Sequence, residues 1–266
     1  KQLADKYPTV RYVNEEKQGV AHARNRGVRE STSRFIVPLD ADDEIKPTFI
    51  EVCVKALQSD PSLGLAYTKL EWVRQDGQRG VSDWPSEYNF DGFLKKQNPV
   101  PTCCMFKRDL WQRLGGYRQR YAPGGAGAED AEFWMRMGAL GYGGKLVTKD
   151  ALFIYHLGGR VSGNQQYVEP DWLAGKPYVQ DKQHPFASLA APAKHSHPVR
   201  QMDDPVVSVV IPCAPGHEQY LTDALDSLEA QTFRKWEAIV VCDGCSVPDD
   251  LQKAFPFAHW IECTQR

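Results

Sequence analysis

Two aspartates, Asp40 and Asp42, follow a short apolar run and could bind a metal ion. They are two residues apart at the end of a run that we predict to be extended, so both side chains are expected on one side. Paired carboxylates suit a hard divalent cation, and open α/β sheets bind ligands at the carboxyl ends of their strands. A solvated acidic turn before a helix that begins at Pro47 is the alternative, and the pattern leaves both open.

A second acidic pair, Glu129 and Asp130, precedes apolar residues at helical spacing. Acidic side chains in the first turn of a helix stabilise it, because they oppose the positive end of the helix dipole. The residue pattern by itself leaves this explanation and a functional role of the pair both open.

The seven cysteines include one Cys-x-x-Cys pair, Cys242 and Cys245. This spacing occurs in redox and zinc sites, but no second pair completes a four-thiolate zinc site. Asp243-Gly244 between them is also a turn signal at the end of a strand. An odd number of cysteines among apolar neighbours indicates buried thiols in a reducing compartment.

These residues are positioned by alternating strand and helix patterns, which predict an α/β fold with a mostly parallel, doubly wound sheet. Predicted strands cover 10–14, 34–39, 65–73, 206–212 and 236–242. Predicted helices cover 19–31, 47–59, 129–140 and 220–228. Residues 175–205 lack a clear period and are interpreted as a linker or draped loop.

Composition limits the class of protein. The 266 residues, 42% hydrophobic, suffice for one large domain or two small ones. A formal net charge of -2 makes a nucleic-acid partner improbable. The apolar runs fall far short of the roughly 20 residues that span a bilayer, and no export signal opens the chain.

One internal repeat connects the two ends of the chain. Residues 3–18 resemble residues 251–266 in pattern: a helix end, a proline and a short strand. The offset from Leu3 to Leu251 is 248 residues, about one large domain. Chance similarity of a single helix-to-strand turn is the alternative.

Four motifs resemble family-2 glycosyltransferases of the GT-A fold. PLDADDEIKP (38–47) resembles the Asp-x-Asp segment, and GVAHARNRGV (19–28) the Ala-Arg-Asn-x-Gly helix. GAEDAEFWMRMGALGY (127–142) is similar to the Glu-Asp motif with its Gly-Tyr turn. VSVVIPC (207–213) and LTDALDSLEAQTFRKWEAIVVCDGCS (221–246) resemble the opening of the family domain.

The order of these motifs differs from that of a single family domain, because the later half comes first. We therefore divide the chain into residues 1–160, the carboxyl-terminal portion of such a domain, a linker at 161–205, and residues 206–266, the amino-terminal nucleotide-binding portion. Three explanations compete: the sequence is a piece cut from an array of tandem modules, it is a circular permutation of one module, or it exchanges segments with a second copy. We favour tandem modules whose two pieces pack as one permuted domain.

The resemblance implies a donor site. Asp243 would accept from the uracil N3–H, although Cys242 replaces the first aspartate of the usual Asp-Asp-Gly-Ser. Asp40 would contact the ribose or the metal, and Pro212 would also belong to the nucleotide site. Arg24 would lie near the nucleotide or form a structural salt bridge.

The resemblance also implies a divalent metal, Mn²⁺ or Mg²⁺, bound by Asp42, Asp40 and His156. Asp43 could substitute for Asp42, and His156 could equally be structural.

On the acceptor side, Asp130 matches the catalytic base of an inverting displacement. Glu129 would orient the acceptor, and Trp134, like Trp84 and Trp111, could stack on sugars, although tryptophans are more often buried. Gly124, Gly125 and Gly127 favour a mobile loop over the donor.

The function expected is metal-dependent, non-processive transfer of a sugar from a nucleotide-sugar, with UDP the expected nucleotide, to a glycan or lipid-linked acceptor. Gln-x-x-Arg-Trp and membrane helices are absent, which sets cellulose- or hyaluronan-like synthases aside. The expected location is cytoplasmic, or peripheral to the inner face of the membrane. An inactive nucleotide-binding scaffold in a tandem enzyme, or a segment-exchanged homodimer, remains open, and a Cys-x-x-Cys oxidoreductase is a more remote alternative.

Overall fold

A computed structural model describes residues 10–15, 19–91, 99–118, 129–157, 205–245 and 261–262. The strands are β1 (Val10–Glu15), β2 (Phe35–Pro38), β3 (Glu44–Ile45), β4 (Leu63–Val73), β5 (Arg79–Val81), β6 (Met105–Lys107), β7 (Gly143–His156), β8 (Val207–Cys213), β9 (Trp236–Asp243) and β10 (Ile261–Glu262). The helices are α1 (Val20–Glu30), α2 (Phe49–Ser59), α3 (Arg108–Leu114), α4 (Glu129–Ala139) and α5 (Leu221–Glu229). The predicted α/β class and the predicted strands and helices within these ranges are confirmed.

The described strands form one sheet in the order β10-β1-β9-β8-β2-β6-β4-β7-β3, with β5 paired to β4. The neighbours from β10 to β2 are parallel, as are β4 and β7. β6 runs antiparallel to both β2 and β4. Strands β8 and β9 lie between β1 and β2, so strands from before and after residues 158–204 share one sheet.

Both faces of the sheet are covered, which explains the unbroken apolar runs of β8 and β9. Successive side chains of a strand point to opposite faces. Accordingly, Val209 and Ile211 pack in the core that includes residues of α2 and α5, whereas Val210 packs with residues of α1 and α4. Helix α1 lies so close to β8 that a Cβ on Gly27 would be 2.3 Å from Val210 Cγ1.

Gln231, directly after α5, connects the carboxyl-terminal segment to the start of α2. It is fully buried. Its amide nitrogen donates to the carbonyls of Ile45 and Lys46 at 3.1 and 2.9 Å, and its oxygen accepts from Ile50 N at 3.2 Å. Thr232 N donates to Pro47 O at 2.7 Å. These bonds hold the residues that follow the acidic segment 40–43.

The two members of the internal repeat lie next to each other in the sheet. β1 pairs in parallel with β10, with Val13 opposite Ile261 and Asn14 opposite Glu262. The same residues correspond in the sequence repeat, so equivalent positions face each other. Residues 3–9, 16–18, 251–260 and 263–266 of the repeat lie outside the described residues, as does the predicted linker at 161–205 except for its last residue.

Within the described ranges, no helix has both the length and the apolar character needed to cross a membrane.

Candidate active site

The parallel strands bring the candidate residues to one edge of the sheet. β1, β9, β8 and β2 are parallel neighbours, so their carboxyl ends meet there. Asp243 is the last residue of β9, and the acidic segment 40–43 follows β2. This is the edge at which open α/β sheets bind ligands.

The acidic segment is a turn and not an extended run. β2 ends at Pro38, and Asp43 N donates to Asp40 O at 3.0 Å. The expectation that strand alternation aligns Asp40 and Asp42 is therefore wrong, because the backbone has already left the strand. Asp42 and Asp43 are buried, with 8% and 3% exposure, and Asp40 is half-buried.

Arg24 of α1 joins the acidic turn to the Glu-Asp pair of α4. Its guanidinium donates to Asp40 Oδ1 at 2.7 Å and to Glu129 Oε1 in a short bond. Burial lowers the pKa of Arg24, but the carboxylates of Asp40 and Glu129 raise it above its ordinary value. Arg24 is thus an ion-pair residue in this structure, one of the two roles that the sequence left open.

Glu129 is held by this contact. Its side chain is buried, and burial raises its pKa while Arg24 lowers it. A carboxylate engaged by a buried guanidinium is a positioning group for Arg24.

Asp130, the predicted base, begins α4 and is half-buried. Its Oδ2 accepts from Thr102 Oγ1 at 2.5 Å, and its Oδ1 accepts from Ala131 N at 2.6 Å. The hydroxyl of Thr102 and the backbone N–H of Ala131 fix the orientation of the carboxylate.

Tyr155 of β7 lies near the acidic residues of the candidate site. Burial raises its pKa to about 12, and four nearby carboxylates add to this rise. They belong to Asp43, Asp40, Asp42 and Asp130. The turn and the predicted base therefore both act on the charge of this side chain, which is 38% exposed.

Two histidines lie beside the acidic turn. His156 N donates to Asp43 Oδ1 at 3.0 Å, and its ring Nε2 is 3.0 Å from Glu44 Oε1. His217 Nδ1 is 3.8 Å from Asp42 Oδ2. His156 thus supports the turn through its backbone, and its metal-binding role stays a prediction.

Asp243, the last residue of β9, is buried against the beginning of α1. Its Oδ2 accepts from Gly19 N at 2.8 Å, and Gly19 adopts a φ of 95°, which a side chain would disfavour. Pro212 is half-buried in β8, opposite Val241 of β9. The two predicted nucleotide residues thus occupy adjacent parallel strands.

The position of Trp134 contradicts the prediction that this side chain binds the acceptor. It is fully buried, with its ring centroid 5.6 Å from that of Phe106 and 5.2 Å from that of Phe133. A side chain enclosed in the core cannot stack on a bound sugar. Trp111 is half-buried and Trp84 is 38% exposed, whereas Gly124, Gly125 and Gly127 lie outside the described residues.

Three cysteines also lie at this edge, because Cys213 joins the predicted pair Cys242 and Cys245. Hydrogen bonds from the thiols of Cys213 and Cys245 lower the pKa of Cys242. The bond to Cys242 is the main cause that raises the pKa of Cys213. The described cysteines form no disulfide, and all but the half-buried Cys245 are buried.

The donors at the acidic turn are of the type that hard cations prefer. The carboxylates of Asp40, Asp42 and Asp43 lie within four residues of one turn, and carboxylate oxygens are ligands for Mg²⁺ and Mn²⁺. The residues present therefore fit a divalent metal of this class.

A mostly parallel sheet with carboxylates gathered at its carboxyl edge defines a Rossmann-like α/β protein of the GT-A type. Residues 1–115 match the sequence profile described as glycosyl transferase family 2, which supports a family-2 glycosyltransferase domain in this part of the chain. Members of the family commonly use divalent metals.

Several bacterial proteins are similar to this chain. A chondroitin synthase of Escherichia coli is 24% identical over 139 residues, covering 51% of this chain and 19% of that protein. The uncharacterized glycosyltransferase YibD of Escherichia coli (strain K12) is 36% identical over 80 residues, 29% of this chain and 23% of that protein. A hyaluronan synthase of Pasteurella multocida is 25% identical over 138 residues, 50% of this chain and 13% of that protein. The chain thus spans about a fifth of the length of the first two relatives.

Several residues of the site were not predicted from the sequence. Thr102, Tyr155, His217 and Gly19 carry no local signal, because their partners lie between 25 and 224 positions away in the chain. Cys213 could have been found, since it ends an apolar run just as Cys242 nearly ends the next one.

Proposed function

We propose that the site transfers a sugar from a nucleotide-sugar to a hydroxyl acceptor, with inversion at the anomeric carbon. The observation that carries the proposal is the bridge from Asp40 through Arg24 to Glu129, the neighbour of Asp130. It joins the donor-type acidic turn to the Glu-Asp pair within one buried cluster.

At the donor end, Asp243 would accept from the N3–H of uracil, and UDP is the nucleotide proposed. Its carboxylate is held by the backbone of Gly19 at the start of α1. Pro212 on the neighbouring strand would line the same pocket. The pair therefore offers a rigid acceptor for a base edge.

At the centre, Asp42 and Asp40, with His156 beside them, would hold Mn²⁺ or Mg²⁺. When bound, the ion would offset the negative charge of the diphosphate. Asp42 is buried, whereas the carboxylate of Asp40 is 32% exposed and open to solvent.

At the acceptor end, Asp130 would accept the proton of the attacking hydroxyl. The hydrogen bond from Thr102 orients its carboxylate. Glu129 would act through Arg24 and not by touching the acceptor, which refines its expected role. The acceptor class proposed is a glycan or a lipid-linked sugar.

The proposal covers a single transfer step. The similarity to a hyaluronan synthase runs against the expectation that set such enzymes aside, and that name describes the relative alone. Residues before and after 158–204 would together supply one site. If segments are exchanged, the partner would be a neighbouring module or a second copy of the chain.

The test is calorimetric titration of UDP into the full chain in the presence of Mn²⁺. We expect micromolar binding that is lost with a chelator and in the Asp42→Ala variant. The matched control is Asp76→Ala, because Asp76 is an exposed aspartate in the turn between β4 and β5. Equal loss in both variants would point to non-specific charge.

Absence of UDP binding by folded protein would contradict the donor site. The inactive scaffold would be favoured if the chain binds UDP but releases none from a UDP-sugar in the presence of glycan acceptors. The observation that supports this alternative is the replacement of an aspartate of the family motif by Cys242.

A further inference from the structure

Three thiols converge where β8 and β9 end. Cys213 is the last residue of β8 and lies opposite Cys242 of β9 in the parallel register. Cys245 follows β9 by two residues. The three sulfur atoms all lie within 4.8 Å of one another. Among the residues that the structure describes, these cysteines are the only group of three or more His, Cys, Asp or Glu side chains whose ligand atoms lie so close together.

This spacing is close to that of thiolates sharing one ion. A zinc–sulfur bond of about 2.3 Å places tetrahedral ligands about 3.8 Å apart. Each sulfur would therefore need to move by no more than about 1 Å. Two of the thiols are held by the sheet, while Cys245 lies on the following loop and can adjust.

Access and ligand chemistry favour the same class of ion. Cys213 and Cys242 are buried, whereas Cys245 is half-buried and therefore partly accessible to solvent. The thiol of Cys213 and the carboxylate of Glu218 lower the pKa of Cys245, but Cys242 and burial raise it above its ordinary value. Thiolates select soft or borderline cations over Mg²⁺ and Mn²⁺, which the acidic turn suits.

We propose that Cys213, Cys242 and Cys245 form a binding site for one soft divalent cation of the zinc class, separate from the carboxylates of the acidic turn. Three S–H bonds break, three protons pass to solvent, and three metal–sulfur bonds form without oxidation. The fourth position is open to water or to Glu218. Three protein ligands and one open position distinguish this site from a closed structural one.

The proposal does not depend on sugar transfer, and its test does not measure activity. The full chain, reduced with a phosphine and kept free of oxygen, is titrated with Cd²⁺ while the thiolate-to-metal charge-transfer absorption is followed. We expect saturation at one equivalent and loss of the signal when a soft-metal chelator is added. Zn²⁺ should then compete with Cd²⁺.

The decisive variant is Cys245→Ser, because this residue is on a loop and only half-buried, so the fold should be retained. Its apparent affinity should fall by about a hundredfold or more. Cys53→Ala removes a buried thiol elsewhere in the core and should leave the titration unchanged. Asp42→Ala should also leave it unchanged, which separates this site from the acidic turn.

Absence of a charge-transfer band in the reduced chain would overturn the proposal. An unchanged band in the Cys245→Ser variant would also overturn it. So would a thiol titration that finds two thiols fewer than expected, because a disulfide would then hold two of the sulfur atoms. Circular dichroism of each variant shows whether the fold is intact, and Cys242→Ala provides a second variant at the same site.

Discussion

Replacing Arg24 by methionine tests whether the bridge between the two acidic motifs stabilises the fold. The guanidinium is buried, with 3% of the side chain exposed, and it pairs with Glu129, which is 10% exposed. Removing one partner of a buried ion pair costs about 3–5 kcal/mol. The pair with Asp40 adds less, because that carboxylate is 32% exposed and screened by solvent.

The magnitude should depend on pH, because Glu129 can take up a proton once Arg24 is gone. Protonation costs about 1.4 kcal/mol for each pH unit above the ordinary carboxyl pKa of 4.5. It therefore limits the added charge penalty to roughly 3.4 kcal/mol at pH 7 and roughly 1.4 kcal/mol at pH 5.5.

The sign follows from linkage. Burial already raises the pKa of Glu129 in the folded protein, and loss of Arg24 would raise it further. A carboxyl with a raised folded pKa stabilises the fold most below its unfolded pKa, and this contribution is lost as pH rises through the folded value. The variant should thus approach wild-type stability in mildly acidic solution and differ most at neutral pH.

Urea unfolding followed by tryptophan fluorescence measures the effect at several pH values. Arg26→Met is the matched control on α1, since Arg26 pairs with Glu30 four residues away and should contribute only about 0.3–0.5 kcal/mol. The double variant Arg24→Met with Glu129→Gln should recover part of the loss. A loss below about 1 kcal/mol, or one that does not change with pH, would refute the reasoning.

Two further predictions concern packing and chemistry. Gly27→Ala should destabilise the fold by about 1–3 kcal/mol in urea unfolding, because its Cβ would meet Val210. Gly143→Ala should change stability little, since its Cβ would lie 3.9 Å from Leu63. Equal effects would contradict the close approach of α1 to β8. Asp130→Asn should lower the turnover number for UDP-sugar by about 100-fold or more while UDP affinity in calorimetry stays within about twofold, and parallel loss of both would argue against a base.

The elements were predictable because their signals are local. The apolar run before Asp40 and the helical spacing after Asp130 each lie within a few residues, so periodicity alone revealed β2 and α4. The resemblance then linked both segments to one family before any contact was known.

Two side chains illustrate where local patterns are insufficient. Trp134 has the same spacing whether it faces the core or a ligand, and only the packing of α4 against Phe106 buries it. The backbone of 40–43 looked like a strand continuation, but the chain turns after Pro38.

The sequence by itself determined the α/β class, the family resemblance and the identity of the acidic motifs, because these depend on residue type and short spacing. Tertiary structure alone decided that Arg24 bridges Asp40 and Glu129 and that Cys213 meets Cys242 and Cys245. Those contacts depend on strand order and register, which bring residues from distant parts of the chain to one edge of the sheet. Hydrogen bonds and burial between such residues act over a few ångströms of space, and separation along the chain does not reveal them.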